Sequence, residues 1–215
     1  MKQNNLKHIY GILLGEFGHQ DWWPAETPFE VVIGAVLTQQ TRWTNVEQAI
    51  ANLREHGLLE PETLAQADVN LVEELVHCCG FYRQKAARLN NIAKYFADIG
   101  MGTVFDVPTD KLRSEMLSLN GIGNETADSI VLYAANKPKF VIDAYTTRIM
   151  DCLGVNGNYM KLQELFEQEL PTDVDLYKEY HALIVEFAKT YCGKKRCPEC
   201  LLVPDATKVE AQENG

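Results

Sequence analysis

Leu119-Asn120-Gly121-Ile122-Gly123-Asn124-Glu125-Thr126-Ala127 is the stretch from which the rest of the chain can be read. Before it, Leu112, Met116 and Leu119 keep helical spacing, and after it Ala127, Ile130, Val131 and Ala134 resume that period. The spacing predicts a helix, a tight Gly-x-Gly hairpin and a second helix. Two glycines let the backbone turn sharply and leave amide N–H groups uncovered at the start of the second helix, where the helix dipole favours an anion such as a phosphate. Gly-x-Gly alone is equally consistent with a helix C-cap followed by an ordinary turn. A dinucleotide-binding loop fits worse, because Thr126 stands where its third glycine belongs and the segment leading in is helical. Twenty residues beyond Gly123, Asp143 ends the apolar run Phe140-Val141-Ile142. That placement suits an N-cap for the following helix, and it equally suits a partly desolvated carboxylate able to stabilise positive charge and to orient or deprotonate water.

The chain has 215 residues, 46% of them hydrophobic, enough for one large domain or two small ones around a real core and too apolar for disorder over most of its length. No apolar run approaches the length of a membrane span, and Met1-Lys2-Gln3-Asn4-Asn5 lacks the apolar centre of a signal peptide. A cytoplasmic protein with no membrane partner is therefore expected. The formal net charge of -10 counts against a nucleic-acid partner, since affinity for DNA comes largely from Lys and Arg neutralising phosphates. The acidic residues, however, cluster at 60–74, 164–175 and 210–213. Positive charge gathers instead at Arg42, at Arg83, Lys85 and Arg88, and at Lys189, Lys194, Lys195 and Arg196, so a locally basic face is compatible with an acidic total.

Apolar periodicity predicts helices near 6–17, 29–37, 44–56, 61–64, 71–78, 86–96, 144–153, 159–170 and 176–189, besides the two that flank the hairpin. Only 139–142 reads as a candidate strand, so the class is all-α. Two features fall between helices. Trp22-Trp23-Pro24 is extended and carries two of the three tryptophans, either plugging a gap or offering a surface. Gln39, Gln40 and Trp43 lie where one helix gives way to the next, a place with no evident core role for a polar pair and an aromatic ring. Gly80-Phe81-Tyr82-Arg83-Gln84-Lys85-Ala86 loosely repeats the idea of a glycine turn feeding a helix. Of six cysteines, Cys78, Cys79 and Cys152 sit in apolar segments and read as buried thiols, whereas Cys192, Cys197 and Cys200 have the ligand-like spacing C-x4-C-x2-C.

The hairpin followed after one helix by an aspartate resembles the helix-hairpin-helix superfamily of DNA glycosylases, in its endonuclease III-like branch. Within that branch the chain is most similar to the 3-methyladenine DNA glycosylases of endonuclease III type. Trp22-Trp23-Pro24, Gly34-Ala35-Val36-Leu37-Thr38-Gln39, Gly80-Phe81-Tyr82-x-Gln84-Lys85-Ala86, Gly121-Ile122-Gly123-x-Glu125, Ala127-Asp128, Val141-x-Asp143 and Ile184-Val185-Glu186-Phe187 carry the likeness, in order over most of the chain. The resemblance implies a six-helix domain over 25–137, a second helical domain made of 1–24 with 138–215, and a cleft between them for a flipped base. It implies Asp143 as the catalytic carboxylate, a base pocket of Trp22, Trp23, Pro24 and Trp43, and DNA contacts from Gln39, Gln40, Arg42, Lys85, Gly121, Gly123, Lys194, Lys195 and Arg196. The implied partner is double-stranded DNA with a damaged base, met by a monomer associated with the nucleoid, and the implied reaction is removal of an alkylated purine. A glycosylase for oxidised pyrimidine or mismatched thymine and a non-catalytic damage-binding module are the alternatives.

Three positions depart from the family pattern. Bifunctional members carry a lysine two residues after the second glycine, where this chain has Glu125, and a carboxylate cannot form the Schiff base of an abasic-site lyase. Some relatives place a modified lysine where this chain has Leu183. The family's [4Fe-4S] cluster is held by C-x6-C-x2-C-x5-C, whereas here the first gap is shorter and Ala206 replaces the fourth cysteine. A cluster or metal on Cys192, Cys197 and Cys200, aided by Asp205, and a vestigial loop both stay open.

Overall fold

The structure, a computed structural model, describes residues 6–194, 196 and 199–202. These form two compact units, one spanning Trp23–Lys137 and the other made of the described residues of Met1–Trp22 and Pro138–Gly215. Both are helical, and among the described residues there is no strand. Residues 139–142 are extended but pair with no other segment as a sheet.

The Trp23–Lys137 unit is centred on α2 (Pro28–Leu37), in which every residue from Phe29 to Leu37 is buried. A helix apolar on all sides has to be enclosed on all sides. Thr27 caps it by accepting from the Glu30 N–H, and Pro28 supplies the preset φ of a first helical position. Around it lie α3 (Trp43–Glu55), α4 (Pro61–Gln66), α5 (Val69–Leu75), a 3-10 turn at His77–Cys79, α6 (Tyr82–Ile99), α7 (Met101–Asp106), α8 (Thr109–Ser118) and α9 (Asn124–Ser129), which runs on as a π-helical turn over Ile130–Ala134. Eight α-helical segments thus stand where six were expected, because α4, α5 and α7 are only six or seven residues long.

Of the two hairpin glycines, only Gly121 needs its freedom, at φ 83°, whereas Gly123 is extended and any residue could take its place. Arg113 of α8 meets Asp128 of α9 at 2.6 Å and Asn124 at 3.0 Å, so a charge pair with its carboxylate fully buried fixes the two hairpin helices to each other. Removing one partner of such a pair costs about 3–5 kcal/mol, because the other is left buried and uncompensated.

The other unit contains α1 (Leu6–Phe17), α10 (Ala144–Cys152), α11 (Tyr159–Glu169) and α12 (Val174–Phe187), the last continuing as a π-helical turn over Ala188–Cys192. Phe140 stacks on Phe166 at 4.1 Å and meets Tyr177 and Tyr180 edge-on. Full burial of Phe140 and Phe166 contributes roughly 1.5–3 kcal/mol apiece. The Tyr180 hydroxyl donates to the Leu6 carbonyl at 2.9 Å, which ties the N-terminal helix to α12 across 174 residues of sequence. Two of the three cysteines expected in the core are on the surface. Cys78 and Cys152 are exposed and only Cys79 is buried, because the first two occupy the outward positions of a 3-10 turn and a helix end.

Candidate functional site

Asp143 is delivered by a segment that α11 holds straight. The Phe140 N–H donates to Glu167 Oε1 at 2.9 Å, Gln163 Nε2 donates to the Phe140 carbonyl at 2.7 Å, and the Ile142 N–H donates to the Tyr159 hydroxyl at 3.4 Å. Lys139 adds an ion pair to Glu167 at 3.1 Å. The chain then enters α10 with Asp143 as its N-cap. Oδ1 accepts from the Thr146 N–H at 2.7 Å and from Thr146 Oγ1 at 2.8 Å, while Oδ2 faces His181 Nε2 of α12 at 3.6 Å. Of the Asp143 side chain 13% reaches solvent, so the acid is sheltered but open on one side.

Burial on its own pushes the Asp143 carboxyl up. The His181 contact and the two bonds from Thr146 outweigh it and hold the acid below the usual carboxylate range. The group is therefore anionic at neutral pH, with one oxygen committed to the cap and the other turned toward His181. Such a carboxylate can stabilise developing positive charge on a sugar, or take a proton from water. His181 escaped the sequence reading because 38 residues separate it from Asp143, and only the fold brings α12 beside α10.

The aromatic residues divide between the two units. In the Trp23–Lys137 unit, Trp23 meets Trp43 edge to face at 5.2 Å and Tyr133 at 5.3 Å. Trp23 lies against Gly34 of α2, where a Cβ would sit 3.0 Å from the indole, so the missing side chain is what admits the ring. Tyr133 belongs to the π-helical turn, a distortion that recurs at functional sites, and the sequence gives no sign of it beyond an aromatic on a helical face. Pro24 is exposed beside them. In the other unit Trp22 is half-buried, with Lys189 Nζ 5.8 Å from its ring centroid, so that ring already hosts a cation.

The expected DNA contacts differ in how they stand. Lys85 does not fit the role: it is only 1% exposed, and its Nζ donates to the Cys79 carbonyl at 2.8 Å. Burial lowers its pKa, and its place on the inner face of α6 makes it an anchor for the 3-10 turn. Gln39 is also engaged internally, donating to the Gly121 carbonyl at 3.1 Å and to Thr126 Oγ1 at 2.9 Å, and accepting from Arg88. Gln40 is exposed at φ 54° and Arg42 is exposed at the N-cap of α3. Phe81, which lies in the Gly80-Phe81-Tyr82 motif but draws no role of its own from the sequence, is 60% exposed at φ 46°. A bulky residue held in left-handed conformation and facing water is strained at a position where packing gives no return, a pattern that marks functional positions. Its one signal in the sequence is the Gly80 turn that precedes it.

Around the cysteine loop Lys194 is exposed, and Arg196 pairs with Glu199 at 2.5 Å and lies over the Tyr191 ring at 4.9 Å. Lys195, Cys197 and Asp205 lie outside the described residues. Cys192 and Cys200 are half-buried, and among the described residues no three metal-ligating side chains converge. The three thiols of this loop are one short of the four that a [4Fe-4S] cluster or structural zinc takes.

Comparison with known proteins supplies the frame for this geometry. Residues 33–172 match the family described as HhH-GPD superfamily base excision DNA repair protein. A protein of Methanocaldococcus jannaschii that carries the provisional name DNA repair glycosylase is 49% identical over 211 residues, covering 93% of this chain and 96% of its own. Endonuclease III of Thermotoga maritima is 32% identical, covering 81% of this chain and 80% of its own. Among solved structures, a 3-methyladenine DNA glycosylase of H. pylori bound to 1,N6-ethenoadenine superposes with a TM-score of 0.75 at 30% identity, covering 86% of this chain and 95% of that one.

Proposed function

The chain belongs to the HhH-GPD superfamily of base excision DNA repair proteins, and from that premise we propose that it is a monofunctional DNA glycosylase for N-alkylated purines such as 3-methyladenine. The observation that carries the reading is Asp143: a carboxylate kept ionised, fixed through one oxygen by Thr146, with its second oxygen turned toward His181 and 13% of its side chain reaching solvent. A purine alkylated on a ring nitrogen is already cationic and needs little acid catalysis to leave. Its C1′–N9 bond breaks with the electron pair passing to the base, which neutralises the ring. Water forms the new C1′–O bond, and its proton goes to Asp143, leaving an abasic site. The indoles of Trp23 and Trp43 suit a cationic base, each contact contributing about 0.5–2 kcal/mol when desolvated, whereas the Trp22 ring is already engaged by Lys189.

Glu125, exposed on α9 at the position of the lyase lysine, is the reason for reading the enzyme as one that hydrolyses without cutting the strand. Duplex DNA would be gripped by the amides around Gly121 and Gly123, with Arg42 and Lys194 as surface cations. Gln40 and Phe81, both left-handed and exposed, are the residues we assign to filling the gap left by an extruded nucleotide. The test is to incubate the protein with methylated duplex DNA and identify each base released by chromatography. Release of 3-methyladenine, with no borohydride-trapped adduct and no strand break, is expected; a folded protein that releases nothing overturns the reading.

A second reading has one specific support, the 32% identity to an endonuclease III. It would make the substrate an oxidised pyrimidine or mismatched thymine, and a lesion panel separates the two, since a neutral base gains little from tryptophan faces. A damage-binding module without turnover would bind abasic duplex in the same assay and release nothing.

A further inference from the structure

We infer that Arg88 is a DNA-binding residue whose guanidinium takes a backbone phosphate beside the Gly121 turn, with Gln39 as the residue that positions it; the inference rests on the glycosylase reading above. Arg88 projects from α6 and is half-buried. Its side chain runs over the Cα of Gly121: a Cβ on residue 121 would lie 2.7 Å from Arg88 Cδ and 2.8 Å from Cγ, and closer still to Nε. The space that any other residue would fill is thus occupied by an arginine. Arg88 Nη1 donates to Gln39 Oε1, and the same Gln39 amide donates to the Gly121 carbonyl and to Thr126. One glutamine therefore fixes both the cation and the turn.

The charge has nothing to answer it. Arg54, Arg83, Arg113 and Arg196 each meet a carboxylate within 4.0 Å, whereas no carboxylate of a described residue comes that close to Arg88, in a chain with an excess of acids. A half-buried guanidinium held in a fixed orientation, with Nε and Nη2 free of any carboxylate, is suited to two parallel bonds to a phosphate.

The measurement is the salt dependence of binding to a duplex carrying an abasic-site analogue, followed by fluorescence anisotropy between about 50 and 200 mM salt. Each phosphate neutralised adds about 0.9 to the slope of log K against log salt. Arg88→Gln is expected to lower that slope by about 0.9 and weaken binding, while Arg88→Lys keeps the slope. Gln39→Leu, which leaves the charge but frees it, is expected to weaken binding with the slope unchanged. An Arg88→Gln protein with the parent slope overturns the inference, including the case in which only its melting temperature falls, since that is what a purely structural arginine would do. Failure of the parent protein to bind the duplex at all overturns the glycosylase reading instead.

Discussion

The surroundings of Asp143 and those of Trp23 are built on opposite principles. Asp143 is held by three directional contacts, each from a named atom and all within 3.6 Å. Trp23 is held by area: two ring neighbours at 5.2 and 5.3 Å and a helix surface made flat by Gly34. A charge fixed by hydrogen bonds loses its function steeply when one atom changes, because its protonation and orientation depend on each partner. An aromatic surface loses it gradually, since a ring pair contributes about 0.5–1.5 kcal/mol beyond its buried area. Under the proposed function, that difference would give rate to the first region and preference among bases to the second.

Asp143→Asn is the strongest way to break that division. It removes the anion and keeps the cap, so base release should fall by about 10²–10⁴-fold while affinity for duplex DNA is retained. Chromatography of released bases beside a binding assay checks both halves. Unchanged release from a folded Asp143→Asn protein would falsify the role given to this carboxylate.

His181→Gln is the next largest change. Burial raises the Asp143 pKa, and His181 and Thr146 lower it further than burial raises it. Taking away His181 therefore moves the pKa up, and the acid limb of the release-against-pH profile moves to higher pH. Below that limb each unit of displacement costs about tenfold in ionised acid. The sign for stability follows. A carboxyl with a depressed folded-state pKa stabilises the fold at pH above its unfolded value and loses that contribution as pH falls through the folded one, so the variant should lose stability near neutrality and less in acid. Melting temperatures across the same pH series report it, and an acid limb that stays in place or moves downward sinks the assignment.

How much of this could be read in the sequence follows from the range over which each interaction acts. Helices showed because their apolar spacing is local, and Asp143 showed because an aspartate after an apolar run is a local N-cap signal. Lys85 and Arg88 look alike in sequence, two cations three residues apart in a basic stretch. The fold separates them completely, one sealed against the Cys79 carbonyl and the other laid over Gly121. Helical phase could have hinted at this, since Lys85, Leu89 and Ile92 share the buried stripe of α6. His181 and Tyr133 were out of reach for a different reason, as each acquires its meaning only from a ring or carboxylate far along the chain. Cys78 and Cys152 misled because apolar neighbours do not say which side of a turn or a helix end a thiol faces.

The aromatic region should respond more mildly. Trp43→Ala and Trp23→Ala are each expected to slow release of 3-methyladenine by about 2–30-fold, the range that 0.5–2 kcal/mol of cation–π stabilisation corresponds to, and to slow release of a neutral ethenoadenine less. Equal losses on both bases would mean that the rings supply shape alone.

Gly34→Ala is the finest probe, because it alters the seat of Trp23 and no functional group. The added Cβ would stand 3.0 Å from the indole Cζ2 and 3.2 Å from Nε1, tighter than van der Waals contact, so the ring has to give by a few tenths of an ångström. Trp23 is half-buried and can yield. Alanine also favours a helix interior over glycine by about 0.8–1.0 kcal/mol, which offsets the strain and should leave the melting temperature nearly unchanged. The discrimination between cationic and neutral bases should then narrow by a factor of only a few, with the Asp143 acid limb untouched. Were the limb to move with the indole, the two regions would not be independent, and rate and preference could no longer be assigned to separate parts of the molecule.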